Sequence, residues 1–324
     1  MVQKDLLSLV WIPGQGPDPD ALHRMTAAFP KPARPMGEAW FMAPEREMYP
    51  QLLEELDAVQ DGEIESALEE IASGTISFGR YDEWVEWYHY LLPRLVERRW
   101  SRSYYQQAEL LFTAFMAQHP DADGDMPYPQ FTADALAILG RYIMSAEFWP
   151  EGQLDAVRCL SKWTGPTGIA GWFDAGGLLS ASLFFCMKYL PADSVEDWFS
   201  SVITIPNRYW QVQILTWLVG AHSILSNEIQ QPAEFPETSS FNITWSWSHV
   251  LRGDYRDTSG EPIAQFRFLP DRNRESVLRI ARRWEVENFI IDFMTDPETQ
   301  PVASEIIGMP ERFFELYRAS PYPS

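Results

Sequence analysis

The chain has 324 residues, and its 46% hydrophobic and 14% aromatic content can build a substantial core, which excludes a disordered segment. Its 46 acidic and 25 basic residues give a formal charge of −21 and a pI near 4.6. Because long-range repulsion opposes every contact with a phosphate, this charge excludes nucleic acid and anionic membranes as expected partners. A basic protein or a small ligand is favoured instead.

Cellular location and cysteine chemistry can also be inferred. No apolar run reaches the ~18 residues of a membrane span, and the N-terminus lacks a secretory-leader pattern. Cys159 and Cys186 lack the spacing of a zinc site or a disulfide framework. We therefore expect a cytoplasmic protein with no metal and no cofactor, and the sequence leaves its oligomeric state open. The 14 tryptophans are expected in the core, with an interface as the alternative.

The N-terminal region begins with an apolar run over residues 6–12, which predicts a short extended segment. Gly14 and Gly16 follow, before a helix that is expected to begin near Asp20. A dinucleotide-binding turn would have a third glycine where this chain has Pro19, so we interpret the segment as a plain connection.

Residues 38–70 contain eleven acids and one base, for a local charge of −10. Apolar residues at helical spacing predict two short amphipathic helices, over 52–59 and 64–71, whose carboxylates face outward. Carboxylates at this spacing can imitate a row of phosphates and accelerate association with a basic protein. The candidate partner-binding residues are Glu54, Glu55, Asp57, Glu65, Glu69 and Glu70.

Helical periodicity continues through most of the remaining chain. Further helices are predicted over 81–99, 103–118, 131–145, 152–163, 172–189, 194–204, 208–225, 272–294, 297–307 and 311–318, and extended stretches over 241–250 and 263–268. Pro93 is expected to kink or break the first of these helices. The sequence thus predicts a mainly α, multihelical fold of packed helical hairpins, with an irregular, HEAT-like α-solenoid as one possible arrangement. No fixed repeat supports a regular repeat family.

The whole chain is expected to form one multihelical unit. A sub-boundary is possible between residues 230 and 260, where a loop-like stretch separates an acidic helical body (1–235) from arginine-bearing C-terminal helices (260–324). The expected use of those arginines is internal, through docking against the acidic body.

Glu86 and His89 have the spacing of a Glu-x-x-His unit on the predicted 81–99 helix. Carboxylate di-iron bundles need two such units from facing helices, and this chain offers one. We therefore interpret Glu86 and His89 as an exposed pair.

The turn after His119 places Asp121, Asp123 and Asp125 at alternate positions. In a calcium-binding EF-hand loop the glycine comes after the third acid, whereas Gly124 comes before it here. An acidic interhelical turn is the expected structure, and weak calcium or magnesium binding is left open.

Five of the 18 glycines lie within residues 165–177. Because glycine permits close approach of the backbone, this segment is the alternative candidate site, for a small ligand in an interhelical pocket. A tight turn covered by tryptophans is the competing interpretation. The candidate ligand-binding residues are Trp163, Gly165, Gly168, Gly171 and Trp172.

No catalytic residues can be assigned, since neither a Gly-x-Ser-x-Gly nor a His-Glu-x-x-His motif occurs. The leading hypothesis is an interaction protein that presents an acidic helical surface to a basic partner. Its sharpest form is an immunity protein or inhibitor that neutralises a basic toxin or nucleic-acid enzyme. The alternative is an enzyme or small-ligand-binding protein.

Overall fold

A computed structural model describes residues 9–37, 48–78, 81–98, 107–122, 124–160, 163–165, 168–170, 175–236, 243–253, 267–296, 299, 303 and 306–318. The α-helices in these ranges are α1 (Pro19–Ala28), α2 (Asp61–Phe78), α3 (Asp82–Val96), α4 (Gln107–Gln118), α5 (Phe131–Tyr142), α6 (Ala156–Cys159), α7 (Gly177–Tyr189), α8 (Ala192–Ile203), α9 (Arg208–Leu225), α10 (Asp271–Arg283), α11 (Glu287–Thr295) and α12 (Met309–Arg318). The prediction of a mainly helical, multihelical fold is confirmed.

The strands of the described ranges form one short antiparallel hairpin. It consists of β1 (Trp163–Gly165) and β2 (Gly168–Ala170), in which Thr164 is paired with Ile169. Much of this stretch was predicted as a helix or a loop. The hairpin leads towards the N-terminus of α7.

Several predicted helix bounds are corrected. The helix predicted over 52–59 is replaced by two 3₁₀ turns, Pro50–Leu53 and Leu56–Ala58, because Glu54 and Glu55 between them are extended. The helix predicted over 272–294 is divided into α10 and α11, since Trp284 is extended. Conversely, α3 continues past Pro93, which lies in its last turn, to Val96.

The helix α7 is the centre of the core. All of its residues are buried, which accounts for the apolar run that the sequence shows there. It packs against α4 and α5, and α4 in turn packs against α2. On the other side of the molecule α10 packs against α8, and α12 packs against α9. In the described ranges no helix has both the length and the apolar character that crossing a membrane requires.

The buried tryptophans of the described ranges form part of this core, as Trp11 illustrates. Its indole N–H donates a hydrogen bond to the Gly140 carbonyl at 2.6 Å, and its ring contacts Trp198 edge-on at a centroid distance of 5.6 Å. The fully buried tryptophans include Trp11, Trp84, Trp87, Trp149, Trp198, Trp210 and Trp217. In a solenoid each repeat contacts only its neighbours, so these contacts across nearly 190 residues of sequence do not support the solenoid arrangement.

Candidate functional site

The acidic candidates differ in their exposure. Glu54 and Glu55, between the two 3₁₀ turns, and Asp57, in the second turn, are exposed, whereas Glu65 and Glu69 on α2 are half-buried. Glu70 is only 8% exposed, contrary to the outward position expected from periodicity. The reason is that α2 packs against both α3 and α4, so a broader part of its circumference is covered than a single amphipathic face.

A groove of about 290 Å³ lies between the second 3₁₀ turn and the C-terminal half of α3. Its lining residues are Glu55, Leu56, Asp57, Tyr90, Arg94, Glu97 and Arg98. Glu55 and Asp57 were predicted from the sequence as partner-binding residues, whereas Arg94 and Arg98 were not. The exposed acids are therefore part of a mixed-charge groove and not of a uniform acidic helical face.

Both arginines of the groove bind groups of their own chain. Arg98 forms an ion pair with Asp61 at 2.9 Å and donates hydrogen bonds to the carbonyls of Leu56 and Val59, each at 2.7 Å. Arg94 donates to the Tyr90 carbonyl at 2.7 Å, and its guanidinium lies 4.0 Å from the centroid of the Tyr90 ring. The side chain of Arg98 thus fastens the 3₁₀ turns to α3.

The carboxylates around the groove have no such partners. Those of Glu54, Glu55, Asp57 and Glu97 form no ion pair or side-chain hydrogen bond with any described residue. Because Asp61 offsets Arg98, these four carboxylates are opposed by two charges, those of Arg94 and of Lys31, whose amine donates to the Leu53 and Glu54 carbonyls. The groove and its rim therefore have an excess negative charge that faces solvent.

The glycine-rich candidate site is only partly described. Trp163, Gly165 and Gly168 lie in the hairpin, while Gly171 and Trp172 lie outside the described residues.

The last two glycines of the segment begin α7, and both are in tight contact with protein atoms. A Cβ atom on Gly176 would lie 2.8 Å from the carbonyl carbon of Leu160, and one on Gly177 would lie 2.8 Å from the Thr244 carbonyl oxygen. The Glu109 carboxylate fills the remaining space over Gly177. These two glycines serve close packing within the protein.

Glu109, a buried acid in the first turn of α4, was not predicted as a site residue. Burial raises the pKa of its carboxyl group to about 8, although hydrogen bonds from Ser246 act in the opposite direction. Its Oε1 atom has no hydrogen-bond partner among the described residues. The Gln213 side chain accepts a hydrogen bond from the Gly176 N–H at 3.4 Å, and its Nε2 is likewise without a partner there. Buried polar atoms without a hydrogen-bond partner are rare. Glu109 Oε1 and Gln213 Nε2 could therefore form hydrogen bonds with a polar ligand near the start of α7.

The structure brings two of the sequence motifs together at a buried histidine pair. His89 of α3 is 5% exposed and His119 at the end of α4 is 3% exposed, and their Nε2 atoms are 3.0 Å apart. The ring planes differ by 14°, and the centroids stand 5.3 Å apart, so the two nitrogens lie on the facing edges of the rings. The expected exposed pair of Glu86 and His89 is therefore wrong, since only Glu86 is exposed.

Aromatic rings surround this histidine pair. Phe29 stacks on His89 at a centroid distance of 4.5 Å, and Phe131 contacts both imidazoles, at 5.3 and 5.0 Å. Phe115 lies 4.9 Å from His119. Across the described ranges no group of three or more His, Cys, Asp or Glu side chains is arranged to hold a metal ion. The pair is thus a two-nitrogen site in an apolar environment.

A second buried charge lies at the other end of α7. Lys188 is 4% exposed and donates a hydrogen bond to the Phe268 carbonyl at 3.0 Å. Burial lowers the pKa of its amine to about 7, and Asp121 partly opposes that change. No sequence motif marked this residue.

Comparisons of the sequence and of the fold with other proteins give no indication of function. No protein-family model matches the chain, and no curated protein or solved structure matches it significantly. The function is therefore inferred from the geometry of the groove, the start of α7 and the histidine pair.

Proposed function

We propose that this protein binds a positively charged segment of another protein in the groove between the 3₁₀ turns and α3. The observation that supports this most directly is a set of carboxylates around a groove of about 290 Å³, those of Glu54, Glu55, Asp57 and Glu97, which have no ion-pair partner among the described residues. A volume of this size can admit the extended side chain of a lysine or an arginine. The partner's cations would complete ion pairs that the chain itself leaves open.

The formal charge of −21 adds long-range attraction to these local contacts. Charge of this sign steers a basic partner towards the surface and raises the association rate, chiefly at low ionic strength. Specificity then comes from the groove, where Arg98 fixes the relative positions of the turns and α3. An immunity protein or inhibitor of a basic toxin or nucleic-acid enzyme is the form of this function that best fits a groove with excess negative charge.

The proposal can be tested with a fluorescently labelled peptide of nine arginines, whose binding is followed by anisotropy at low and moderate salt. The test variant is the triple substitution E55Q/D57N/E97Q, which removes three charges from the groove without changing side-chain size. We expect the dissociation constant to rise about tenfold, as for the loss of a few exposed charge pairs.

A matched control removes three exposed carboxylates elsewhere. D193N/D197N/E275Q lies in a different groove, between α8 and α10, and changes the net charge of the protein by the same amount. We expect this control to change the dissociation constant by less than about twofold. If both triple variants weakened binding equally, the peptide would be recognising overall charge and the proposed groove would be wrong.

A second candidate function, the binding of a small polar ligand, is supported by the orphaned atoms of Glu109 and Gln213 near the start of α7. A ligand that binds only the native state raises the melting temperature. A thermal-shift screen of polar metabolites should then find compounds that stabilise the wild-type protein but not Gln213→Leu. Stabilisation of both proteins, or of neither, would contradict a site at this position.

A further inference from the structure

We infer that the His89–His119 pair is a binding site for a single copper(I) ion, held between the two Nε2 atoms. This inference is independent of the groove. It depends on three features of the described residues, namely the facing geometry of the imidazoles, the apolar rings around them and the position of His119 at a helix end.

The facing geometry fits a metal with two ligands in line. The two Nε2 atoms point at each other at 3.0 Å, with ring planes only 14° from parallel. Metal–nitrogen bonds of about 2 Å on opposite sides of an ion would place the nitrogens about 4 Å apart. The rings therefore need to separate by about 1 Å and to turn very little.

His119 can supply that movement. It is the residue that directly follows α4, and Pro120 takes the chain into the acidic turn. His89, by contrast, lies in the interior of α3, where Phe29 stacks on its ring. The His119 backbone is held, because its N–H donates to the Phe115 carbonyl at 2.8 Å and its carbonyl accepts from the Tyr189 hydroxyl at 2.6 Å. A rotation of the His119 side chain would open the pair while both helices stay in place.

The apolar rings around the histidine pair favour a metal ion that has a low charge and binds few ligands. Transferring a charge into an apolar site is costly, and the cost rises steeply with the charge of the ion. Zinc normally takes four ligands, and no group of three or more candidate ligand residues is available in the described ranges. Copper(I) has a single charge, is bound by imidazole, and can also be stabilised by the faces of nearby rings. Phe29, Phe115 and Phe131 provide such rings.

Access for the ion would be past Phe29. Phe29 is only half-buried, so a single ring separates His89 from the surface on that side. The turn that follows His119 contains Asp121 and the exposed Asp125. Their carboxylates raise the local concentration of cations beside the pair.

The test is an anaerobic titration of the full-length protein with copper(I), in competition with the chromophoric chelator bicinchoninate. We expect the wild-type protein to retain one equivalent, and His89→Gln and His119→Gln to retain none. His23→Gln and His249→Gln are matched controls, because both of these histidines are exposed, and they should retain the full equivalent. Circular dichroism and melting temperatures establish that each variant is folded.

Because Cys159 and Cys186 are free thiols and thiolates also bind copper(I), the titration is repeated in the C159A/C186A background. X-ray absorption of the copper-loaded wild-type protein provides a measurement that needs no variant. Two nitrogen neighbours at about 2 Å and no sulfur neighbour are expected. Sulfur ligation, loss of copper in the cysteine variant, or failure of the wild-type protein to retain copper(I) would each overturn the inference.

Discussion

The Glu109 carboxylate lies against Gly177, in the space that any side chain at that position would occupy. This contact joins the first turn of α4 to the first residue of α7, the most deeply buried helix of the described core. It also explains why the glycine-rich segment ends in two consecutive glycines. A polar group is thus a packing element in an otherwise apolar interface.

Gly177→Ala should destabilise the protein by roughly 2–4 kcal/mol, because the new methyl group overlaps the Glu109 carboxylate and approaches the Thr244 carbonyl. Urea unfolding of both proteins measures the difference. In the Glu109→Ala background the carboxylate is gone, so the same substitution should cost clearly less. Equal costs in the two backgrounds would mean that Glu109 does not restrict this position.

Glu109→Gln should alter stability in a pH-dependent way. The pKa of Glu109 is raised to about 8 in the folded protein, so between its unfolded value and pH 8 the folded state binds a proton that the unfolded state has lost. Wild-type stability should therefore fall as pH rises through this window. The glutamine amide mimics the protonated acid, so the variant should gain on the wild type by an amount on the order of 4 kcal/mol at pH 8.5.

The measurement is the free energy of unfolding of both proteins from pH 4.5 to 8.5. At the acidic end the folded-state carboxyl is protonated and the pH is close to the unfolded pKa, so the pH-dependent difference is nearly gone and the two curves should approach each other there. A constant offset across the whole range would contradict a raised pKa at Glu109. Since the salt concentration is kept constant, changes in surface charge affect the two proteins alike.

Lys188→Met should show the opposite pH dependence. The pKa of Lys188 is lowered to about 7, so between pH 7 and the unfolded value the unfolded state binds the extra proton, and wild-type stability rises with pH. The advantage of the neutral methionine should therefore be greatest at pH 7 and below and should shrink towards pH 10. The lost hydrogen bond to the Phe268 carbonyl subtracts about 1–3 kcal/mol at every pH.

Unfolding experiments on Lys188→Met and the wild type between pH 6.5 and 10 check this prediction. Lys31→Met is a suitable control, because Lys31 is exposed and donates to backbone carbonyls at the surface. Its difference from the wild type should stay nearly constant over the same range. An equally flat difference for Lys188→Met would mean that the buried amine keeps an ordinary pKa.

Helical periodicity predicted the fold class because most helices of this chain bury one apolar face. It wrongly predicted exposed side chains on helices that are buried around more of their circumference. In α3, ten of the fifteen residues are buried, so His89 lies inside although its spacing from Glu86 suggested the outer surface. The same applies to Glu70, since α2 has neighbours on two sides.

The groove and the histidine pair could not be predicted because their residues are distant in sequence. His89 and His119 are 30 positions apart, and Arg98 reaches back 37 positions to Asp61. The acidic composition of residues 38–70 did indicate where Glu54, Glu55 and Asp57 would be exposed. Nothing in that segment indicated that Arg94 of α3 and Arg98, just beyond the end of α3, would lie beside them. Glu109 stands between apolar neighbours on α4, and no local pattern distinguishes its burial.

Arg94 and Arg98 offer a direct test of how the groove works, since each contributes one positive charge to it. Arg94→Met removes a charge that opposes a basic ligand, so the nine-arginine peptide should bind about two- to threefold more tightly. Arg98→Met removes the same charge but also the hydrogen bonds to Leu56 and Val59 that fasten the 3₁₀ turns. We expect this variant to lose roughly 2–4 kcal/mol of stability and to bind the peptide more weakly than the wild type. Anisotropy measures the peptide affinity of both variants, and urea unfolding measures their stability. If both substitutions tightened binding equally, charge alone would govern recognition, and the position of the turns would have no part in it.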